Sequence, residues 1–186
     1  MKSKRSKFLL ALFVPILILM GLLYKPLLAF TVGETITVKT VPVDPRDLLY
    51  GDYVYLELDI NNVRKDKLSE ELKAKIAKVE QDDGIFAGAR VITVYAVLEE
   101  GEDAYTVQSV SSQKPESGIY LKGKINSGYT IVNRTYYYID YDLNRFYVEE
   151  NTGRELEKQS ARGELSLVLK VAEGYALIEN IIPNNE

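Results

Sequence analysis

The chain contains no cysteine, no histidine and no tryptophan. Without thiols there is no disulfide, no thiolate zinc site, no haem attachment through cysteine and no cysteine nucleophile. Without imidazole, the commonest general acid/base and the commonest transition-metal ligand are both missing. Acidic residues are absent from one end. The first 30 positions hold five basic residues (Lys2, Lys4, Arg5, Lys7 and Lys25) and no Asp or Glu. From residue 31 onward the balance reverses to 18 basic and 27 acidic side chains, a net of −9, whereas the whole 186-residue chain carries −4. Such a body repels phosphate backbones and anionic headgroups, which disfavours nucleic-acid binding. Tyrosine, by contrast, is abundant at 14 residues, within a composition (46% apolar, 27% charged) ordinary for one folded domain. In this acidic setting the tyrosines read as strand residues rather than as base-stacking platforms.

Between the basic cluster and Lys25 runs Phe8 to Tyr24, 17 residues without a charge. A helix of that length rises about 25 Å, near the short end of what spans a bilayer, and Pro26 to Phe30 extend the apolar stretch past a snorkelling Lys25. Pro15 would bend the segment, which membrane helices tolerate. A cleaved signal peptide also has a basic start and an apolar middle, but nothing near Leu27 to Gly33 offers the small residues of a cleavage site, and no cysteine is present for a lipid anchor. The sequence therefore predicts residues 1–7 as a cytoplasmic basic segment, 8–30 as an uncleaved transmembrane anchor in the lipid bilayer, and 31–186 as one extracytoplasmic domain of a single-pass cell-membrane protein.

Beyond Thr31 the pattern is mostly of period two and rich in Val, Ile, Tyr and Thr, as in antiparallel sheet. Expected strands are 34–43, 53–60, 90–99, 104–111, 118–125, 129–141, 145–150, 164–172 and 175–182, with breaks at Gly101, 126–128, 151–153 and Glu173-Gly174. One segment departs from this. Over 67–80, Leu68, Leu72, Ile76 and Val79 recur at helical spacing, and Ser69, Glu70 and Glu71 suit a capped first turn. The fold class expected is mainly β, an antiparallel barrel or sandwich covered by one short amphipathic helix and preceded by the transmembrane helix.

The most distinctive stretch is Val41 to Ile60. Pro42 and Pro45 fix their φ angles and push the preceding residues to extended conformations, while Asp44 and Asp47 can accept bonds from nearby amides. Gly51 and Asp52 open a strand in which Val54, Leu56, Leu58 and Ile60 face a core. These residues resemble the GDYXXLXY family of membrane-anchored bacterial proteins through Pro42, Asp44, Pro45, Arg46, Asp47, Leu48, Gly51, Asp52, Tyr53 and Leu56, with Leu58 where the signature closes on Tyr. A later block, Phe146 to Glu157, is similar to the family's second conserved region, including Glu150, Gly153 and Glu157; Glu149 stands where Pro is common. The resemblance implies an unknown biochemical activity, one amino-terminal membrane segment, and genes commonly placed beside polytopic membrane proteins.

The chemistry these residues could carry is limited. Asp44, Asp47 and Asp52 beside Arg46 could ligate a divalent cation, but Asp next to Pro commonly caps a turn, and Arg46 could pair with Glu150 or Glu157 in an internal network. No metal or cofactor is expected. Asp140-x-Asp142-x-Asn144 begins like a calcium loop, yet the sixth position is Arg145 and the twelfth Asn151 where the motif needs Gly and Glu. A Ser-Lys peptidase, loosely suggested by the Gly51-Asp52 strand, needs a serine shortly before it, and residues 31–52 contain none. Tyr136, Tyr137, Tyr138 and Tyr141 put rings on both faces of one strand, which leaves a ring row exposed or at an interface. The function expected is a non-catalytic accessory or binding module of the bacterial cell envelope acting with a polytopic membrane protein. Its alternatives are a membrane-anchored Ser/Lys peptidase-like enzyme and a small-ligand or glycan sensor. The turn lies about ten residues past the membrane exit, within reach of such a partner. The residues singled out are Asp44, Pro45, Arg46, Asp47, Gly51, Asp52, Tyr53, Glu150, Gly153 and Glu157.

Overall fold

A long apolar run without acids forms the first element, helix α1 (Lys2–Val32), which contains Pro15 and Pro26. Each proline withholds the amide that would bond the carbonyl four residues back. The structure, a computed structural model, describes residues 2–42, 53–81, 90–126, 135–147, 159–160 and 162–184. One stretch of α1, Ala11–Val32, is long and apolar enough to cross a membrane. Gly33 ends the helix, its amide donating to the Ala29 carbonyl at 3.0 Å, and strand β1 (Glu34–Val41) begins at the next residue.

The strands that follow are β2 (Tyr53–Tyr55), β3 (Glu57–Leu58), β4 (Asn62–Arg64), β5 (Val91–Glu100), β6 (Tyr105–Ser111), β7 (Tyr120–Asn126), β8 (Tyr136–Tyr138), β9 (Arg145–Tyr147), β10 (Leu165–Ala172) and β11 (Tyr175–Pro183). They pair antiparallel in four groups, ordered β11-β10-β1-β3, β6-β5-β7, β2-β9 and β4-β8. Short bridges curl these groups around one core. Lys124 of β7 exchanges backbone bonds with Asp140 beyond β8, Ile139 donates to the Asn61 carbonyl, and Gly174 in the β10–β11 turn accepts from Lys122 of β7. The protein is mainly β, a curled antiparallel sheet, as the alternation of its sequence predicts.

Period two places the core directly. Ile36 and Val38 of β1, Ile92, Val94, Ala96 and Leu98 of β5, and Leu165, Leu167, Leu169 and Val171 of β10 are buried in one apolar cluster. Two bulges interrupt the alternation. Gln108 is the extra residue where β6 shifts against β5, and Glu179 is the extra residue where β11 shifts against β10. The amphipathic segment forms helix α2 (Glu70–Gln81), two residues after its apolar spacing begins at Leu68, because Lys65–Lys67 form a 3₁₀ turn first. Ser69 caps it, its hydroxyl accepting from the Leu72 amide at 3.3 Å. Leu68, Leu72 and Ile76 are buried against the sheet, each contributing about 1.5–3 kcal/mol.

One expected strand divides in two. Residues 53–60 are not a single strand, because Leu56 donates its amide to Asn144 at 2.9 Å and the chain then leaves β9 to pair with β1 as β3. A 3₁₀ turn over Asp59–Asn61 follows, and then β4, a strand that the hydrophobic pattern does not reveal. The even positions nonetheless face inward, with Leu56, Leu58 and Ile60 all buried.

Candidate functional site

Of the residues singled out in the sequence, Asp44, Pro45, Arg46, Asp47, Gly51, Asp52, Glu150, Gly153 and Glu157 lie outside the described residues. Tyr53 is described as the first residue of β2. The elements flanking both blocks are also described, and they meet. Tyr53 lies opposite Tyr147, Val54 opposite Phe146 and Tyr55 opposite Arg145, so the end of the first block pairs with the start of the second. At the other end Pro42 follows β1. Gly163, at φ +68°, lies so close that a Cβ there would stand 2.8 Å from Pro42 Cδ. This contact and the positive φ both require glycine.

Around that second junction the polar groups are bonded. Thr40, buried in β1, donates its hydroxyl to the Leu165 carbonyl at 2.7 Å. Asn184 donates its side-chain amide to the Gly163 carbonyl at 2.9 Å and its backbone amide to Glu164 at 2.8 Å, and its Oδ1 accepts from Ser166 Oγ at 2.5 Å. The described residues on either side of segments 43–52 and 148–158 therefore meet at two places on the sheet.

The sequence model of the GDYXXLXY protein family matches residues 15–181. The chain belongs to this family. A search of curated proteins and a search of solved structures each found no significant match. In this GDYXXLXY protein the departure at Leu58 has a physical account: the side chain is fully buried in the core, where an apolar residue leaves no hydroxyl to satisfy.

Several of the described polar side chains bond one another or the backbone. Five lysines bond acids or carbonyls: Lys39 with Asp103 at 3.0 Å, Lys73 with Glu70 at 2.7 Å, Lys124 with Asp142 at 2.8 Å, Lys170 with Glu179 at 3.5 Å, and Lys67 with the Val107 carbonyl. The pKa of Lys124 is raised by its bond to Asp142, and that of Lys114 by its bond to Tyr120. A lysine base of the peptidase type needs the opposite shift. Asp140, Asp142 and Asn144 form a turn. The Asp142 amide donates to Asp140 Oδ1 at 2.9 Å, and Asp142 adopts φ 59°. Among the described residues no group of three or more acids could hold a metal ion.

The four clustered tyrosines divide by face. Tyr137 and Tyr141 enter the core, and the Tyr141 hydroxyl donates to the Ile60 carbonyl at 3.2 Å. Burial holds the Tyr141 phenol well above its ordinary pKa. Tyr136 and Tyr138 point outward, 52% and 36% exposed, opposite Arg64 and Asn62 of β4. A residue that sequence reasoning passed over is Asn61. It is buried, its Oδ1 accepts from the Leu58 amide at 2.7 Å, and its Nδ2 donates to the Ile139 carbonyl at 2.7 Å. No local signal identifies it, because the carbonyl it serves is 78 residues away.

Proposed function

We propose that the protein is a membrane-anchored extracytoplasmic module of the bacterial cell envelope, amino terminus inside, that holds or assists a polytopic membrane partner and does no chemistry of its own. One observation carries this reading: an apolar helix, exposed on all sides from Ala11 to Lys25, runs without a linker into a β domain. The basic residues before the span favour export of everything after it. The described residues that flank both blocks meet at shared positions on the sheet, which suits one composite contact surface better than two separate ones. A photo-crosslinking residue at Arg46 or Asp47, activated in intact membranes, should capture a polytopic membrane protein identifiable by mass spectrometry. Capture of nothing above the level of the unmodified protein would count against the proposal.

The outward pair Tyr136 and Tyr138, beside Asn62 and Arg64, favours a second reading in which this ribbon contacts cell-wall glycan. Retention on isolated glycan that Tyr136→Ala abolishes would support it, and equal retention of both proteins would remove it.

A further inference from the structure

The last two turns of α1 differ from the rest of the helix. Every residue from Ala11 to Lys25 is exposed, the large apolar ones included. At Pro26 the pattern changes: Pro26 and Leu28 are half-buried, and Ala29 is completely buried where the helix end packs on β10 and β11. Lys170 of β10 places its ammonium 3.4 Å from the Phe30 carbonyl and 5.4 Å from the centre of the Phe30 ring. It thus serves a carbonyl that the helix leaves without a partner, at the negative end of the helix dipole. Gly33 closes the junction. A Cβ there would stand 2.2 Å from the Ala29 carbonyl oxygen, and β1 starts at the following residue, so no flexible linker separates helix from sheet.

Two constraints fix the depth of this clamp in a bilayer. Were the hydrocarbon to reach Phe30, β11 would be carried into it alongside the helix. Its sheet ends at β11, and the outer backbone groups of an edge strand cannot be left facing lipid. Were the clamp to stand clear in water, Leu27 and Phe30 would each remain 60% exposed on a helix face continuous with the span, and Val32 68% exposed at its end. The headgroup layer satisfies both, since it is polar enough for strand edges and takes up apolar and aromatic side chains.

We propose that the hydrocarbon span ends at Lys25 and that Pro26–Val32 is an interfacial stalk, clamped to β10 and β11 and lying in the headgroup layer, so that the domain rests on the bilayer surface in one orientation. This rests on the membrane-anchor reading and shortens the span of residues 8–30 expected from hydropathy. Lys25 then snorkels to the interface at the end of 17 uncharged residues.

The absence of tryptophan makes the test free of background. Full-length Leu17→Trp, Leu27→Trp, Phe30→Trp and Glu102→Trp proteins would be reconstituted in phosphatidylcholine vesicles carrying bromine either deep in the acyl chains or near the headgroups. Leu17→Trp should be quenched by deep bromine, Leu27→Trp and Phe30→Trp should lose roughly half their emission to shallow bromine and little to deep, and Glu102→Trp should be unaffected. If Leu27→Trp and Phe30→Trp follow Leu17→Trp, the span continues to Phe30 and the proposal is overturned. If they follow Glu102→Trp, the stalk stands in water and it is equally overturned. If Leu17→Trp itself escapes quenching, the membrane-anchor reading fails instead.

Discussion

Replacing Asn61 tests whether one buried amide joins the two halves of the curled sheet. Its Oδ1 accepts from Leu58 and its Nδ2 donates to Ile139, each at 2.7 Å, and it is buried beside both. Asn61→Ala removes both bonds and strands an amide donor and a carbonyl acceptor in the core. Each stranded group costs about 1–3 kcal/mol, giving a loss of about 2–6 kcal/mol for the two. For a domain stable by about 5–15 kcal/mol this is a large fraction. Urea unfolding of the full-length protein in detergent, followed by circular dichroism, should show the midpoint lowered by about 1–3 M at a urea slope of about 2 kcal/mol per M. Asn61→Asp separates the two bonds. The carboxylate can still accept from Leu58 but faces the Ile139 carbonyl with a charge where a donor belongs. Burial and that carbonyl both favour the protonated form, so the folded-state pKa lies above the unfolded value of about 3.9. With the pKa raised on folding, the variant keeps its stability below that unfolded value and loses it as pH rises through the folded one. The difference between variant and wild type should therefore widen from acid toward neutral pH. A midpoint shift below about 0.3 M for Asn61→Ala, or a pH-independent difference for Asn61→Asp, would refute the reasoning.

Three further substitutions address separate parts of the fold. Tyr141→Phe removes the bond to the Ile60 carbonyl and should cost about 1 kcal/mol at neutral pH in the same urea assay. Because the Tyr141 phenol is raised by burial, its contribution is complete below the unfolded value of about 10 and declines as pH rises toward the folded one, so the variant should lose less stability than wild type above that pH. Gly123→Ala should destabilise by about 1–3 kcal/mol, since its Cβ would stand 2.5 Å from Ile139 Cγ2 and 2.9 Å from Tyr141 Cδ1 in a packed core, and the shift in thermal midpoint measures it. Gly33→Ala cannot keep the Ala29 bond at its present geometry, and limited proteolysis should cut between Pro26 and Glu34 several-fold faster than in wild type.

What could be read from the sequence follows from the range of the interaction responsible. Strands β1, β5, β7 and β10 follow from period two, because each buries one face along its own length, whereas β6 and β11 carry bulges that interrupt it. Helix α2 follows from its 3.6-residue period for the same reason. The division of residues 53–60 could not be anticipated. It is set by the Asn144 carbonyl and by the exchange of partner from β9 to β1, both distant in sequence. The start of α2 follows from Ser69, Glu70 and Glu71, although Leu68 shares the apolar spacing of the helix while its backbone is extended and bridges to Val110. Of the candidate cluster only Tyr53 is among the described residues, and it lies where the sequence places it, at the head of a strand.

Segments 43–52 and 148–158 are more than 80 residues apart in the chain, yet the topology brings the described residues that flank them together. Strand β1 is central in its sheet, between β10 and β3, so the chain leaving it at Pro42 is already beside the chain arriving at β10 through Gly163. Having paired Tyr53 with Tyr147, the chain returns to β1 as β3, which fixes the separation of the two junctions by sheet register rather than by loop conformation. The opposite end of β1 joins α1 through Gly33 and is held by Lys170. One strand therefore connects the helix clamp to both family blocks. The β1–β10 ladder, with six paired positions from Glu34 to Lys39, holds the end of α1 and the residues that flank both blocks in one register.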